Sequence, residues 1–220
     1  MTEKTVRIQD SVLARGEKKL LVWLASRTPL WMNSDHLTVL GLLAMLGAGI
    51  GYWRAGVNRE WLWVVNACIL INWYGDSLDG TLARVRDVQR PKYGYYVDHI
   101  VDALSACFLF GGLGLSGFMT HAVAFALLLS YLLLAIESYL AAYSLGEFRI
   151  AHFGFGPTEL RILLIVGNCF LFTRPVVDFF GQKRLLFDVG GVIGAAGMFG
   201  TLLFAIIVNT TKLYRRETKW

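Results

Sequence analysis

Two short runs place carboxylates where an apolar chain should not have them. Asp76-Ser-Leu-Asp79-Gly80-Thr-Leu-Ala83-Arg84 and Gly94-Tyr-Tyr-Val-Asp98-His-Ile-Val-Asp102 set four aspartates and an arginine inside or beside two long apolar segments. An ionised aspartate at membrane depth is costly unless it is paired, hydrated or bound to a cation, so such a cluster reads as a functional site. On a helix turning about 100° per residue, Asp76, Asp79, Gly80, Ala83 and Arg84 fall within an arc of about 140°. Gly94, Asp98 and Asp102 follow at i, i+4 and i+8 along one face of the next helix. Two antiparallel neighbours joined by a short loop can therefore turn all four carboxylates into one cavity. From Trp61 to Asp76 a helix rises about 22 Å through a hydrocarbon core about 30 Å thick, which predicts a shallow pocket that water can reach.

Four converging carboxylates repel one another, and protonation or divalent cations relieve them. Oxygen-only ligands select hard ions such as Mg²⁺, Mn²⁺ or Ca²⁺, and no His or Cys lies at a convincing spacing for zinc. Mg²⁺ takes one or two carboxylates and fills its remaining positions with substrate phosphates, which points to phosphoryl chemistry. Gly80 and Ala83 clear space on the same face for a bulky ligand, and Arg84 supplies a planar fork suited to phosphate.

The elements that must hold these residues belong to a membrane protein. Of 220 residues, 55% are hydrophobic and 17% charged, too apolar for a soluble domain of this size. A hydrocarbon core needs about 20 apolar residues, and six stretches supply them: 36–53, 60–84, 94–117, 120–145, 157–174 and 187–211. The predicted fold is all-α, a single membrane domain over 1–220. Residues 1–35 form an interfacial helix and entry segment, 36–211 a six-helix transmembrane bundle, and 212–220 a basic tail. Within the first segment, residues 7–27 mix Ile8, Val12, Leu20, Leu21, Trp23 and Leu24 with Arg15, Lys18, Lys19 and Arg27, a pattern suited to a helix lying in the interface. Pro29 ends it, and Ser34 or Asp35 is expected to cap the first crossing.

Counting Lys and Arg by loop orients the bundle. Sixteen fall in the amino-terminal segment, around 84–92, at Arg149 and Arg161, and in the tail, against five on the other side. Both termini and the aspartate cluster are then expected on the cytoplasmic side. The net charge of +5 follows from this bias and from attraction to anionic lipid, not from nucleic-acid binding. Cys68, Cys107 and Cys169 fall in three different spans without CxxC spacing and read as packing residues. Trp53, Trp61, Trp63, Tyr93, Tyr95, Tyr96 and Tyr143 stand near span ends as anchors. Gly47 and Gly51, and Gly190, Gly194 and Gly197, permit close helix approach, either within the bundle or across a dimer; the first pair is expected to act within it. Gly156-Pro157 is expected to open the fifth crossing.

The pattern Asp-x2-Asp-Gly-x2-Ala-Arg, a spacer, then Gly-x3-Asp-x3-Asp resembles the signature of the CDP-alcohol phosphotransferases, membrane enzymes that build phospholipid head-group bonds. All eight positions are filled, by Asp76, Asp79, Gly80, Ala83, Arg84, Gly94, Asp98 and Asp102. The departure is a spacer of nine residues where the family pattern has eight. Ser34-Asp35-His36-Leu37-Thr38 is similar, more loosely, to the family's entry to its first helix. The resemblance implies metal, Mg²⁺ or Mn²⁺ and two ions, on Asp76, Asp79, Asp98 and Asp102, with Asp102 also the base. It implies that the CDP moiety lodges near Gly80, Ala83, Arg84 and Gly94. An acceptor hydroxyl, its proton taken by Asp102, would attack the β-phosphorus of the CDP-linked donor and expel CMP.

Thr38, Arg149 and Arg161 are candidates for acceptor or donor contacts. Arg161 near a helix amino terminus could bind an anionic group, or could be a snorkelling arginine paired with Glu159. Chain length favours CDP-diacylglycerol as donor to an alcohol or polyol acceptor, while Asp98-His99 and Ala103 are similar to the branch that transfers from CDP-choline or CDP-ethanolamine to diacylglycerol. The family also implies a homodimer. A cation or proton transporter using the aspartates as a path is the rival from another class; it lacks paired repeats and a charge chain to the far side, Glu137 being the one other acid deep in a span. His99 lies about 100° around the helix from Asp98 and is expected to face a neighbour or head groups.

Overall fold

The computed structural model describes residues 6–8, 14–149 and 156–218. Seven helices dominate them: α1 Ala14–Arg27, α2 Ser34–Ala55, α3 Trp61–Val85, α4 Pro91–Leu115, α5 His121–Leu145, α6 Pro157–Leu171 and α7 Leu186–Glu217. Two small pairs of strands accompany them. β1 Val6–Ile8 pairs in parallel with β2 Glu147–Arg149, and β3 Val176–Phe179 forms a hairpin with β4 Gln182–Leu185.

A helix stands at each of the six expected spans. By length and composition, α2, α4, α5 and α7 are able to cross a membrane. The other two differ for separate reasons: α3 has 25 residues but carries Asp76, Asp79 and Arg84 in one half, and α6 has 15 residues, about 22 Å of rise. The strand at Val6–Ile8 corrects the expectation that the first helix begins at residue 7, because these residues pair their backbone with Glu147–Arg149 instead.

The helices pack in the order α1, α3, α2, α4, α5, α7, with α6 set against α3 and α7. At the centre, Met45, Ala48 and Tyr52 of α2 meet Leu62, Val65 and Ile69 of α3 and Leu109 and Leu113 of α4. Glycine sets the spacing. A Cβ on Gly112 would stand 2.2 Å from the carbonyl oxygen of Gly49, so α2 and α4 touch backbone to backbone. Cβ atoms on Gly47 and Gly51 would meet Cys68 and Val65 of α3, so this pair serves the bundle itself. On α7, Gly194 faces Leu127 of α5, while Gly190 and Gly197 face open space. Deep in the core Tyr52 donates to Asn168 Oδ1 (2.9 Å) and Asn168 Nδ2 to Asn66 Oδ1 (2.8 Å), which fixes the register of α6.

α2 is capped by Asn33, whose side chain accepts from the His36 amide (3.0 Å) while His36 Nδ1 accepts from the Asn33 amide (3.3 Å). This corrects the expected Ser34 or Asp35 cap: Asn33 has the extended backbone of a cap residue, and the next two residues already lie in the first turn. At the other predicted start, Gly156 caps α6, Pro157 takes its first position, and Glu159 accepts from the Gly156 amide.

Candidate active site

The site forms where the second half of α3 faces the first half of α4. Asp76 and Asp79 come from α3 and Asp98 and Asp102 from α4, all half-buried. Asp79 lies within electrostatic reach of Asp76 and Asp98, and Asp102 of the other three and of Arg161. The four carboxylates are therefore brought near one another, but α3 and α4 are not the packed antiparallel neighbours expected from their short loop: both pack on α2, which lies between them.

Each aspartate of α3 has a distinct holder. Asp79 Oδ2 accepts from Thr38 Oγ1 at 2.6 Å, and its backbone carbonyl accepts from Ser34 Oγ at 2.9 Å, so the start of α2 aims this carboxylate. Asp76 is ion-paired with Arg161, whose Nε donates to Asn72 Oδ1 at 3.0 Å. Asn72 in turn donates to the Gly41 carbonyl (3.1 Å), tying α2, α3 and α6 together at the site. Arg161 thus pairs with Asp76 rather than with Glu159. The side chain of Arg149, and all of His152, lie outside the described residues.

The Arg84 guanidinium donates to Thr81 Oγ1 at 3.0 Å and lies over Gly80, so that a Cβ there would stand in ordinary contact with Arg84 Nη1 at 3.4 Å; the fork folds back along the helix. Ala83 is half-buried on the same face, and Gly94 is exposed with nothing near its α-carbon. His99 meets its neighbours as expected: its Nδ1 lies 2.6 Å from the Tyr95 carbonyl oxygen, and its ring packs on Tyr95 and meets Tyr139 edge-on. Tyr131 and Tyr139 of α5 stand within electrostatic reach of Asp102. Neither tyrosine stands out in the sequence, where they sit in an apolar helix whose one acid is Glu137. Asn72 could have been found, since it precedes Asp76 by four residues and Asp79 by seven on the same stripe.

Among the described residues, no three His, Cys, Asp or Glu side chains converge closely enough to enclose an ion. The donor set nevertheless fits a hard divalent cation: all donors are oxygens, they repel one another, and a guanidinium already neutralises Asp76. The bundle's apolar groove, between Leu46, Ile50 and Trp53 of α2 and Cys107, Phe108 and Gly111 of α4, lies at the opposite end from this chemistry.

An all-α integral membrane protein with acid side chains of two helices gathered where both pack on a third is the class that fold and site define. A model of the CDP-alcohol phosphatidyltransferase family matches residues 31–207, and the chain belongs to that family. No curated protein matches it. The family's activity, transfer of a phosphate-linked alcohol from a CDP donor in phospholipid biosynthesis, is accordingly that of this transferase.

Proposed function

We propose that the protein transfers a phosphatidyl group from CDP-diacylglycerol to an alcohol or polyol acceptor with release of CMP, in a reaction that depends on Mg²⁺ or Mn²⁺. The observation that carries this reading is the closeness of Asp76 and Asp79 of α3 to Asp98 and Asp102 of α4, beside Arg84 and Arg161. Asp76, Asp79, Asp98 and Asp102 would hold the metal. When bound, it supplies neutralisation of the charge that develops on the departing phosphate.

The chain's own groups do the rest. Arg84, lying along the α3 face over Gly80, offers a fork to a donor phosphate, and the open surface at Gly94 leaves room for the nucleotide. Asp102 takes the proton of the acceptor hydroxyl as that oxygen attacks the β-phosphorus; the bond to the CMP oxygen breaks, and CMP leaves with the electron pair. Tyr131 and Tyr139 wall this position against lipid. Thr38 orients Asp79, and Arg161 stands where it can meet an anionic group once it leaves Asp76.

In this reading α3 and α6 cross the membrane with the other four helices, both termini face the cytoplasm, and α1 lies along the interface. Its face bearing Leu20, Val22 and Trp23 is exposed, while Leu21 and Ala25 are buried on α2 and α3 against Leu37, Leu78 and Leu82. Purified protein incubated with CDP-diacylglycerol and a panel of acceptors should release CMP only with Mg²⁺ or Mn²⁺. Release from CDP-choline with diacylglycerol instead would move it to the other branch of the family, and no release from either would overturn the reading.

A further inference from the structure

We propose that Glu17 of α1 is a positioning residue that holds α3 and α6 together at the separation where Arg161 reaches Asp76. The proposal rests on the transferase reading, since it concerns the same carboxylates. One oxygen of Glu17, Oε1, accepts two hydrogen bonds of 2.7 Å, from Trp73 Nε1 on α3 and from Thr158 Oγ1 on α6. Trp73 precedes Asp76 by three residues and Thr158 precedes Arg161 by three, close to one helical turn in each case. The contacts close a ring from Glu17 through Trp73 to Asp76, across the ion pair to Arg161, and back through Thr158.

The helix that presents Glu17 is itself anchored. Leu21 and Ala25 are buried in the bundle, and at its far end Arg86 donates to the carbonyls of Thr28 (2.8 Å), Pro29 (2.9 Å) and Met32. α6 is the shortest helix of the bundle, and near the site it is tied down by the polar bonds of Thr158 and Arg161. A guanidinium seated on Asp76 competes with a divalent cation for the same carboxylate. Loss of the clamp therefore loosens Arg161, which frees Asp76 for metal but takes the positive charge out of place for turnover. Metal affinity and rate move in opposite directions, whereas simple loss of structure lowers both.

The test uses the full chain in liposomes, with Mn²⁺ binding followed by electron paramagnetic resonance and CMP release followed in parallel. Glu17→Ala should bind Mn²⁺ about 5-fold tighter and turn over about 10-fold more slowly. Glu17→Gln, which keeps the accepting oxygen, should restore both to within about 2-fold, and Glu17→Ala should leave Mn²⁺ affinity unchanged in an Arg161→Ala background. Parallel loss of binding and rate, or additive effects with Arg161→Ala, would overturn the proposal. A Glu17→Cys, Thr158→Cys pair, with the three native cysteines replaced by alanine, should be joined by a short thiol-to-thiol reagent, and failure to join would also overturn it. If the wild type releases no CMP, the transferase reading falls while the cross-link and the Mn²⁺ measurements still decide the clamp.

Discussion

Asp102 and Asp79 are both aspartates of one signature, yet their surroundings differ. Asp102 has Tyr131 and Tyr139 of α5 as well as the other three carboxylates within electrostatic reach, surroundings that suit the proposed proton acceptor. Asp102→Asn should keep fold and donor binding and lower CMP release by at least about 10²-fold, the usual range for a general base; turnover near wild type would remove that role. Asp79 is aimed by Thr38, whose hydroxyl donates to its Oδ2. Thr38→Val should raise the Mg²⁺ concentration for half-maximal rate by about 10-fold, as loss of a partner behind a ligand commonly does. An Mg²⁺ titration that does not move would mean that the bond to Asp79 is incidental to metal.

Between α2 and α4 the contact is made by backbone, because Gly49 and Gly112 leave no side chain in the way. In lipid, where apolar burial drives helix association little, such close approach is a main source of packing energy. Gly112→Leu should push the helices apart and destabilise the protein by about 1–3 kcal/mol, read as a lower unfolding midpoint in detergent. Gly190→Leu on α7, where the glycine meets open space, should leave that midpoint within about 0.5 kcal/mol. Both substitutions add the same side chain to a glycine in an apolar helix, and the sequence makes no distinction between them.

For the whole molecule, the surplus of Lys and Arg on one side of the predicted spans supports the proposal that the site opens toward the cytoplasm. Single cysteines placed at Lys92 and Lys183, both exposed, in a cysteine-free background should label from opposite sides of sealed vesicles, Lys92 from the cytoplasmic side. Labelling of both from one side would contradict the arrangement. The β3–β4 hairpin that carries Lys183 was not visible in the sequence: Phe180 takes a left-handed backbone (φ +50°) beside Gly181 (φ +75°), a turn that residue type alone does not announce.

Sequence alone determined the helices, the identity of the carboxylates and the family, because each depends on local spacing: apolar runs of membrane length, and acids repeating at three and four residues along a helix face. The tertiary structure decided who holds whom. That Arg161 pairs with Asp76 rather than Glu159, that Thr38 aims Asp79, and that Glu17 ties Trp73 to Thr158 are contacts set by helix rotation and crossing. Most of them join residues 41 to 141 positions apart, and no periodicity in the chain encodes a distance of that kind. Physical reach between side chains depends on how the helices pack, and packing is a property of all of them at once.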